Sequence, residues 1–173
     1  NVSVNEFGEG TGTVKINGVV YNNPVQIKKD TPVEVEIVPA DDSEIVAVNI
    51  DGVDHPADKA KFTKTMSSIT ADTMIEVEYA KKFHNITFNN VDLEFGKIKV
   101  EGKEITPKEN TISVQHGKEV SFTIEPNYKY HVESVKIIDG QSTTDVKEEN
   151  GKYKIPNVKN DYSIVVAFAI NTY

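Results

Sequence analysis

An internal repeat constrains this chain more than any other feature of its sequence. VEVEIVP at 33–39 aligns with VSFTIEP at 120–126 at a shift of 87 positions. Nearer the N-terminus the shift is 84, which places GTVKING at 12–18 on GKIKVEG at 96–102, and nearer the C-terminus it is 89. Loops tolerate changes in length whereas paired strands do not, so insertions between strands produce such a drift. The sequence therefore predicts two tandem copies of one module.

The boundary between the copies falls near Lys82, which gives a first module at 1–82 and a second at 83–173. Almost nothing separates the last strand pattern of the first copy from the first pattern of the second. We therefore expect the modules to abut without a flexible linker. The sequence starts at Asn1 and ends just after an apolar strand-like run. We expect it to be a part of a longer protein.

The periodicity of the repeat is that of β-strands. Apolar and polar residues largely alternate in segments such as VEVEIV at 33–38 and MIEVEY at 74–79, as expected for strands with one buried face. Turn signals separate the segments, at Asn17-Gly18, Asp51-Gly52, Asp139-Gly140 and Asn150-Gly151. About seven short strands per copy predict an all-β chain of two small antiparallel modules, each an immunoglobulin-like sandwich. A β-grasp sheet or a half-open barrel is the alternative.

Composition disfavours several classes of partner. The formal net charge is −8, and all 19 basic residues are lysines, so the arginine fork that recognises phosphate and guanine is missing. We predict no nucleic-acid partner. No apolar run approaches the roughly 18 residues that cross a bilayer, so no membrane insertion is predicted. The chain contains no cysteine, which excludes disulfides, thiolate metal sites and cysteine nucleophiles.

No pattern of chemistry-bearing residues predicts catalysis, a cofactor or a metal. Four histidines are present and none has metal-ligand spacing; they are His55, His84, His116 and His131. His55 and His116 are interpreted as solvated loop residues. The acidic loops 41–44 and 51–58 lack the alternating pattern of a calcium loop and are interpreted as charged turns. We expect that the chain is not an enzyme.

Tyrosines distinguish the second copy from the first. Tyr128, Tyr130, Tyr153 and Tyr162 align with Asp41, Ser43, Lys64 and Thr73 of the first copy. Tyrosine combines an apolar ring with a polar tip, which suits recognition of a sugar or a protein. The favoured interpretation is that Tyr130 and Tyr153 fill one end of the core. The alternative is a ligand surface formed by the four tyrosines.

The pattern of the repeat resembles a known family. HVESVKIIDG at 131–140 and IPNVKNDYSIVVAF at 155–168 resemble the divergent bacterial surface repeats related to the internalin B-repeat class. The first copy departs from that pattern at 42–44, and neither copy has the Gly-Trp pair common in such repeats. The resemblance implies tandem all-β modules that act outside the cell as spacers or adhesion accessories.

These observations predict a non-catalytic spacer or presentation module of a bacterial cell-surface or secreted protein. Its partners would be neighbouring domains of the same polypeptide, held apart by a two-module rod. One alternative is an adhesin or binding module that grips a glycan or a host protein with the tyrosines of the second copy. Another is an accessory domain of a secreted hydrolase.

Overall fold

The computed structural model describes residues 1–89 and 92–172. Within these residues the chain forms eighteen strands in four sheets and contains no helix. It divides into two compact units, Asn1–Lys82 and Phe83–Tyr173, called module 1 and module 2 below. Each module contains two sheets whose buried faces share one apolar core. The predicted all-β, sandwich-like fold is confirmed.

Module 1 is built from eight strands. They are β1 (Val2–Gly8), β2 (Gly12–Ile16), β3 (Val19–Val20), β4 (Val33–Pro39), β5 (Ser43–Ile50), β6 (Val53–His55), β7 (Phe62–Met66) and β8 (Thr73–Lys81). One sheet has the order β1-β8-β5-β6, and the other has the order β3-β2-β4-β7.

Module 2 has ten strands among its described residues. They are β9 (Phe83–Asn89), β10 (Gly96–Val100), β11 (Lys103–Glu104), β12 (Thr111–Gln115), β13 (Val120–Pro126), β14 (Tyr130–Asp139), β15 (Ser142–Asp145), β16 (Glu148–Glu149), β17 (Lys152–Ile155) and β18 (Tyr162–Ile170). The sheet orders are β12-β9-β18-β14-β15 and β11-β10-β13-β17-β16. Relative to module 1, β12 and β16 are additional. Where β12 pairs with β9, module 1 has only the bridge between Val2 and Val25.

The pairing registers of the two modules correspond at the shifts read from the sequence. In module 1 Val2 pairs with Thr73, and in module 2 Ile86 pairs with Tyr162. Ile86 lies 84 positions after Val2, and Tyr162 lies 89 positions after Thr73. A β-bulge interrupts β5 between Ile45 and Ala47, and another interrupts β14 at the corresponding place, between Val132 and Ser134. The two modules thus use the same strand neighbours at matched positions.

Alternation explains which face each strand buries. In β4 Val33, Val35 and Ile37 are fully buried, while Glu34 between them is exposed. Burying one such side chain contributes about 1.5–3 kcal/mol, so the Val and Ile positions fix the register of each strand against a slip by one residue. The tight turns follow the predicted chemistry: both residues have positive φ at Asn17-Gly18, Asp51-Gly52 and Asn150-Gly151.

One pair of strands in each module departs from a purely antiparallel arrangement. β1 lies beside β8 and runs parallel to it, from Val2 opposite Thr73 to Gly8 opposite Tyr79. In the same way β9 runs parallel to β18. Periodicity indicates which side chains of a strand are buried, but it does not indicate which strand lies next to it or in which direction that strand runs. The sequence therefore could not predict these two pairs, each called a terminal strand pair below.

An aromatic ring covers a glycine at the same place in each module. A Cβ atom at Gly12 would lie 2.6 Å from the ring of Tyr79, and one at Gly96 would lie 2.6 Å from the ring of Phe168. Both glycines begin a strand, and both rings belong to the last strand of their module. The absent side chain thus lets the ring of the last strand contact the opposite sheet.

Tyr79 differs from Phe168 by a hydroxyl, which donates a hydrogen bond to Glu6 Oε1 at 2.9 Å. The side chain is 2% exposed, and burial raises the pKa of the phenol well above its usual range, with the carboxylate of Glu6 adding to the effect. In the unfolded chain the same phenol would ionise near pH 10. The folded state therefore keeps a proton that the unfolded state releases, and module 1 loses stability as the pH rises above about 10.

We expect Tyr79→Phe to reduce this alkaline loss of stability, because phenylalanine cannot ionise. At neutral pH the variant should be less stable by about 1 kcal/mol, the usual worth of one hydrogen bond. Urea unfolding between neutral pH and pH values above 10 measures both effects. Tyr128→Phe, at a side chain that is 85% exposed, is the control and should leave both unchanged. An alkaline loss of stability that is the same in Tyr79→Phe and in the parent chain would contradict the assignment.

Candidate functional site

Of the four tyrosines singled out in the sequence, Tyr153 lies in the core of module 2. It is 6% exposed, and its ring stacks on Phe122 with 5.5 Å between the centroids. Phe122 in turn forms a T-shaped pair with Phe88, with 5.3 Å between the ring centroids. Burial, and then the negative charge of Glu148, raise the pKa of the Tyr153 phenol. Tyr153 therefore packs the interior and is not available to a ligand.

Tyr130 and Tyr162 lie at opposite ends of module 2. Tyr162 begins β18, whereas Tyr130 pairs with Ile170 at the end of that strand. The eight residue steps between Tyr162 and Ile170 correspond to about 26 Å at the usual rise of a strand. The four tyrosines therefore do not form one surface, and Tyr128 lies two residues before Tyr130, in the turn that precedes β14.

Tyr128 and Tyr130 belong to a group of side chains that we call the aromatic end of module 2, formed with Phe95 and Lys129. The rings of Phe95 and Tyr130 stack with 4.7 Å between their centroids. The side chain of Tyr128 is 85% exposed, and Lys129 Nζ lies 5.7 Å from its ring centroid. An exposed aromatic face beside a cation and a supported second ring is suited to contact with a sugar ring or an apolar side chain.

Asn127 holds the aromatic end together. Its side-chain amide donates a hydrogen bond to the carbonyl oxygen of Glu94 at 2.7 Å, and its backbone N–H donates to the carbonyl oxygen of Phe95 at 2.8 Å. The N–H of Tyr130 donates to the carbonyl oxygen of Asn127 at 3.0 Å. The loop before β10 and the turn before β14 are thus joined by two hydrogen bonds, and the third closes the turn itself. Neither Phe95 nor Asn127 belongs to a periodic pattern, so no feature of the sequence indicated their role.

Two histidines of module 2 contact each other. His84 Nε2 lies 2.8 Å from His116 Nδ1, and His84 Nδ1 lies 3.7 Å from Asp161 Oδ1. His116 lies in the turn after β12, as predicted, but it is half-buried against His84 and not solvated. His55 is the last residue of β6 and is also half-buried, so the prediction of a solvated loop residue was wrong there too. His84 lies within β9 and is mostly buried. In the described part of the chain, no three side chains of His, Asp or Glu are grouped so that they could hold a metal ion.

The acidic loop at 41–44 binds the end of β8. Asp42 accepts a hydrogen bond from Ser43 Oγ at 2.8 Å and pairs with Lys81, the last residue of β8. The Lys81 ammonium, and then the Ser43 hydroxyl, lower the pKa of the Asp42 carboxyl. Ser43 is itself fully buried and accepts a hydrogen bond from the N–H of Thr11 at 3.0 Å. The charge of Asp42 is thus satisfied by a lysine of the same module, which agrees with a structural turn.

A cleft of about 560 Å³ opens in module 2 between β12 and the β10–β11 hairpin. Its walls combine apolar side chains such as Ile112 and Val114 with the charged side chains of Lys103, Lys118 and Glu119. The opposite charges are intermixed, so the cleft does not select an anion or a cation by its net charge.

No family model, no curated protein and no solved structure matches this chain. Residues 1–89 and 92–172 include no helix of the length and apolarity that crossing a membrane requires.

Proposed function

We propose that the chain is a pair of non-catalytic modules that space or present neighbouring domains of an exported bacterial surface protein. The parallel terminal strand pairs carry this proposal. Because β1 and β8 run in the same direction, the chain enters module 1 at one end of the pair and leaves at the other. The same holds for β9 and β18 in module 2. Passage through a module therefore advances the chain along the module.

The size of this advance follows from the last strand of module 1. β8 has nine residues, which span about 30 Å at the usual rise of a strand. Ser43 at the start of β5 pairs with Lys81 at the end of β8. The next residue, Lys82, donates from its N–H to the carbonyl oxygen of Asp42 at 2.9 Å. These bonds fix the point at which the chain leaves module 1.

The short connection between the modules also supports a spacing role. β8 ends at Lys81 and β9 begins at Phe83, so a single residue, Lys82, lies between them. The side chain of Lys82 donates to the carbonyl oxygen of Asp41 at 3.0 Å. The matched registers of the modules support their origin as copies of one unit, as in proteins built from structural repeats. The location outside the cell rests on the resemblance to internalin B-repeat-like modules.

A spacer must hold its ends at a fixed separation, which spin labels can measure in module 1. The chain has no cysteine, so Ala71→Cys and Glu9→Cys place two labels without competing thiols, before β8 and after β1. Both residues are exposed. Double electron–electron resonance should give one narrow distance distribution near about 30 Å, the length of the terminal strand pair. The same labelled chain in denaturant is the control and should give a broad distribution. A broad or divided distribution in buffer would contradict the spacing role.

A second candidate function is recognition of a glycan or a protein by the aromatic end of module 2. The observation that favours it is the exposure of Tyr128 beside Lys129 and the Phe95–Tyr130 stack. Covering a large exposed aromatic ring with a ligand removes apolar surface from water, which favours binding. This candidate is compatible with spacing, because it uses side chains at one end of module 2 only.

If the aromatic end binds a ligand, Tyr128→Ala should abolish the hits that the parent chain gives on a glycan array or a panel of extracellular matrix proteins. Because the ring is exposed, the substitution should change the free energy of unfolding by less than about 0.5 kcal/mol. Tyr162→Ala, at the opposite end of β18, is the matched control and should keep the hits. Absence of hits with the parent chain, or hits that survive Tyr128→Ala, would reject the binding role.

A further inference from the structure

We propose that each terminal strand pair is a mechanical lock that resists tension along the polypeptide. The proposal rests on the spacing function above and adds resistance to mechanical force to it. Tension pulls β1 backward from its N-terminal end and β8 forward from its C-terminal end. Because the two strands are parallel neighbours, these forces act in opposite directions along the same ladder. The strands are therefore loaded in shear.

Shear loads the hydrogen bonds of a ladder together, since the bonds run across the strands and the force runs along them. Pulling adjacent ends of two strands apart would instead break the bonds one at a time. In module 1 the shared ladder extends over seven residue pairs, from Val2 opposite Thr73 to Gly8 opposite Tyr79. Rupture in the shear direction thus requires the whole register to fail in one step.

Buried side chains oppose the sliding of the strands in module 1. Val2 and Ile75 are fully buried, as is Val77, so a slip of one residue would move apolar groups from the core to the solvent face. The hydrogen bond from the Tyr79 hydroxyl to Glu6 Oε1 links the same two strands near the end of the ladder. Sliding must therefore break side-chain packing as well as backbone bonds.

Module 2 contains the same arrangement with a second support. β9 pairs with β18 in parallel on one side and with β12 on the other, from Thr87 opposite Thr111 to Phe83 opposite Gln115. Asp161 Oδ1 accepts a hydrogen bond from the N–H of Asn85 at 2.7 Å, next to the first residue of β18. Because the two modules lie in series along one polypeptide, the same tension acts on each of them. Each module must therefore resist that tension with its own terminal strand pair.

Single-molecule force spectroscopy with two pulling directions tests this proposal on the full 173-residue chain. One handle is attached at the N-terminus and the other at a single cysteine. Phe83→Cys, at an exposed position just after module 1, loads β1 and β8 in shear. Ala71→Cys, at an exposed position just before β8, separates the adjacent ends of the same two strands. The two experiments thus differ only in the position of the cysteine.

The rupture force of module 1 should be several-fold higher through Phe83→Cys than through Ala71→Cys. Equal forces, or a lower force through Phe83→Cys, would overturn the mechanical lock. If both directions still gave a single cooperative rupture, the spacing role would be unaffected. Gradual extension without a rupture in either direction would overturn both the lock and the spacing role, because a spacer must hold its ends apart.

A pair of proline variants provides a second test in the Phe83→Cys chain. Val2 and Val25 exchange two backbone hydrogen bonds, with N···O distances of 2.8 and 2.9 Å, so the N–H of Val2 points away from β8. Backbone N–H groups alternate in direction along a strand, so the N–H of Asn5, three residues later, points toward β8. Asn5→Pro removes that donor and should lower the rupture force several-fold. Val20→Pro, on edge strand β3, is the control: the N–H of Tyr21 faces β2, so that of Val20 faces away. Equal effects of the two variants would contradict the proposal.

Discussion

In each module the first strand lies beside the last, and hydrogen bonds join them over a ladder whose two halves are about 70 residues or more apart in the chain. Such a pair can form only after the intervening strands have brought the ends of the module together, because closing a long loop costs entropy that must be offset by other contacts. The pairing of the first and last strands therefore closes the core of the module. It forms only once the remaining strands have brought those two strands together. It also fixes where the chain enters and leaves each module.

Local features hold the last strand of module 1 against the rest of the module. The ring of Tyr79 occupies the space that the missing side chain of Gly12 leaves on the opposite sheet. Lys81 at the end of the strand pairs with Asp42, and Ser43 beside it is fully buried. In module 2 Phe168 and Gly96 repeat the first of these contacts. The last strand is thus attached both at its edge and across the core.

Much of this fold could be predicted from the sequence. Alternation located the buried faces, as in Val33, Val35 and Ile37, and the Asn-Gly and Asp-Gly pairs located tight turns. These features depend only on residues that are close in sequence. The parallel direction of the terminal strand pairs depends on residues that are far apart, so no local pattern could reveal it.

The candidate site was less predictable for a related reason. Tyr153 stands where module 1 has Lys64, and the sequence favoured a core position for both Tyr153 and Tyr130. Tyr153 is buried, whereas Tyr130 is half-buried and stacks on Phe95. The structure decides because Tyr153 pairs with Phe122 inside module 2, where the two rings stack. In contrast, Tyr128 lies in the turn before β14, and its side chain is 85% exposed to water. Tertiary neighbours, and not residue type, therefore assign the tyrosines their roles.

The most direct measurement of the central claim is the set of nuclear Overhauser contacts between the first and last strands of each module in solution. Parallel pairing predicts backbone contacts that advance together along both strands, from Val2 with Thr73 to Gly8 with Tyr79, at a constant offset of 71 positions. In module 2 the offset should be 76 positions, starting from Ile86 with Tyr162. Contacts that run in opposite directions along the two strands, or the absence of contacts between them, would contradict the account.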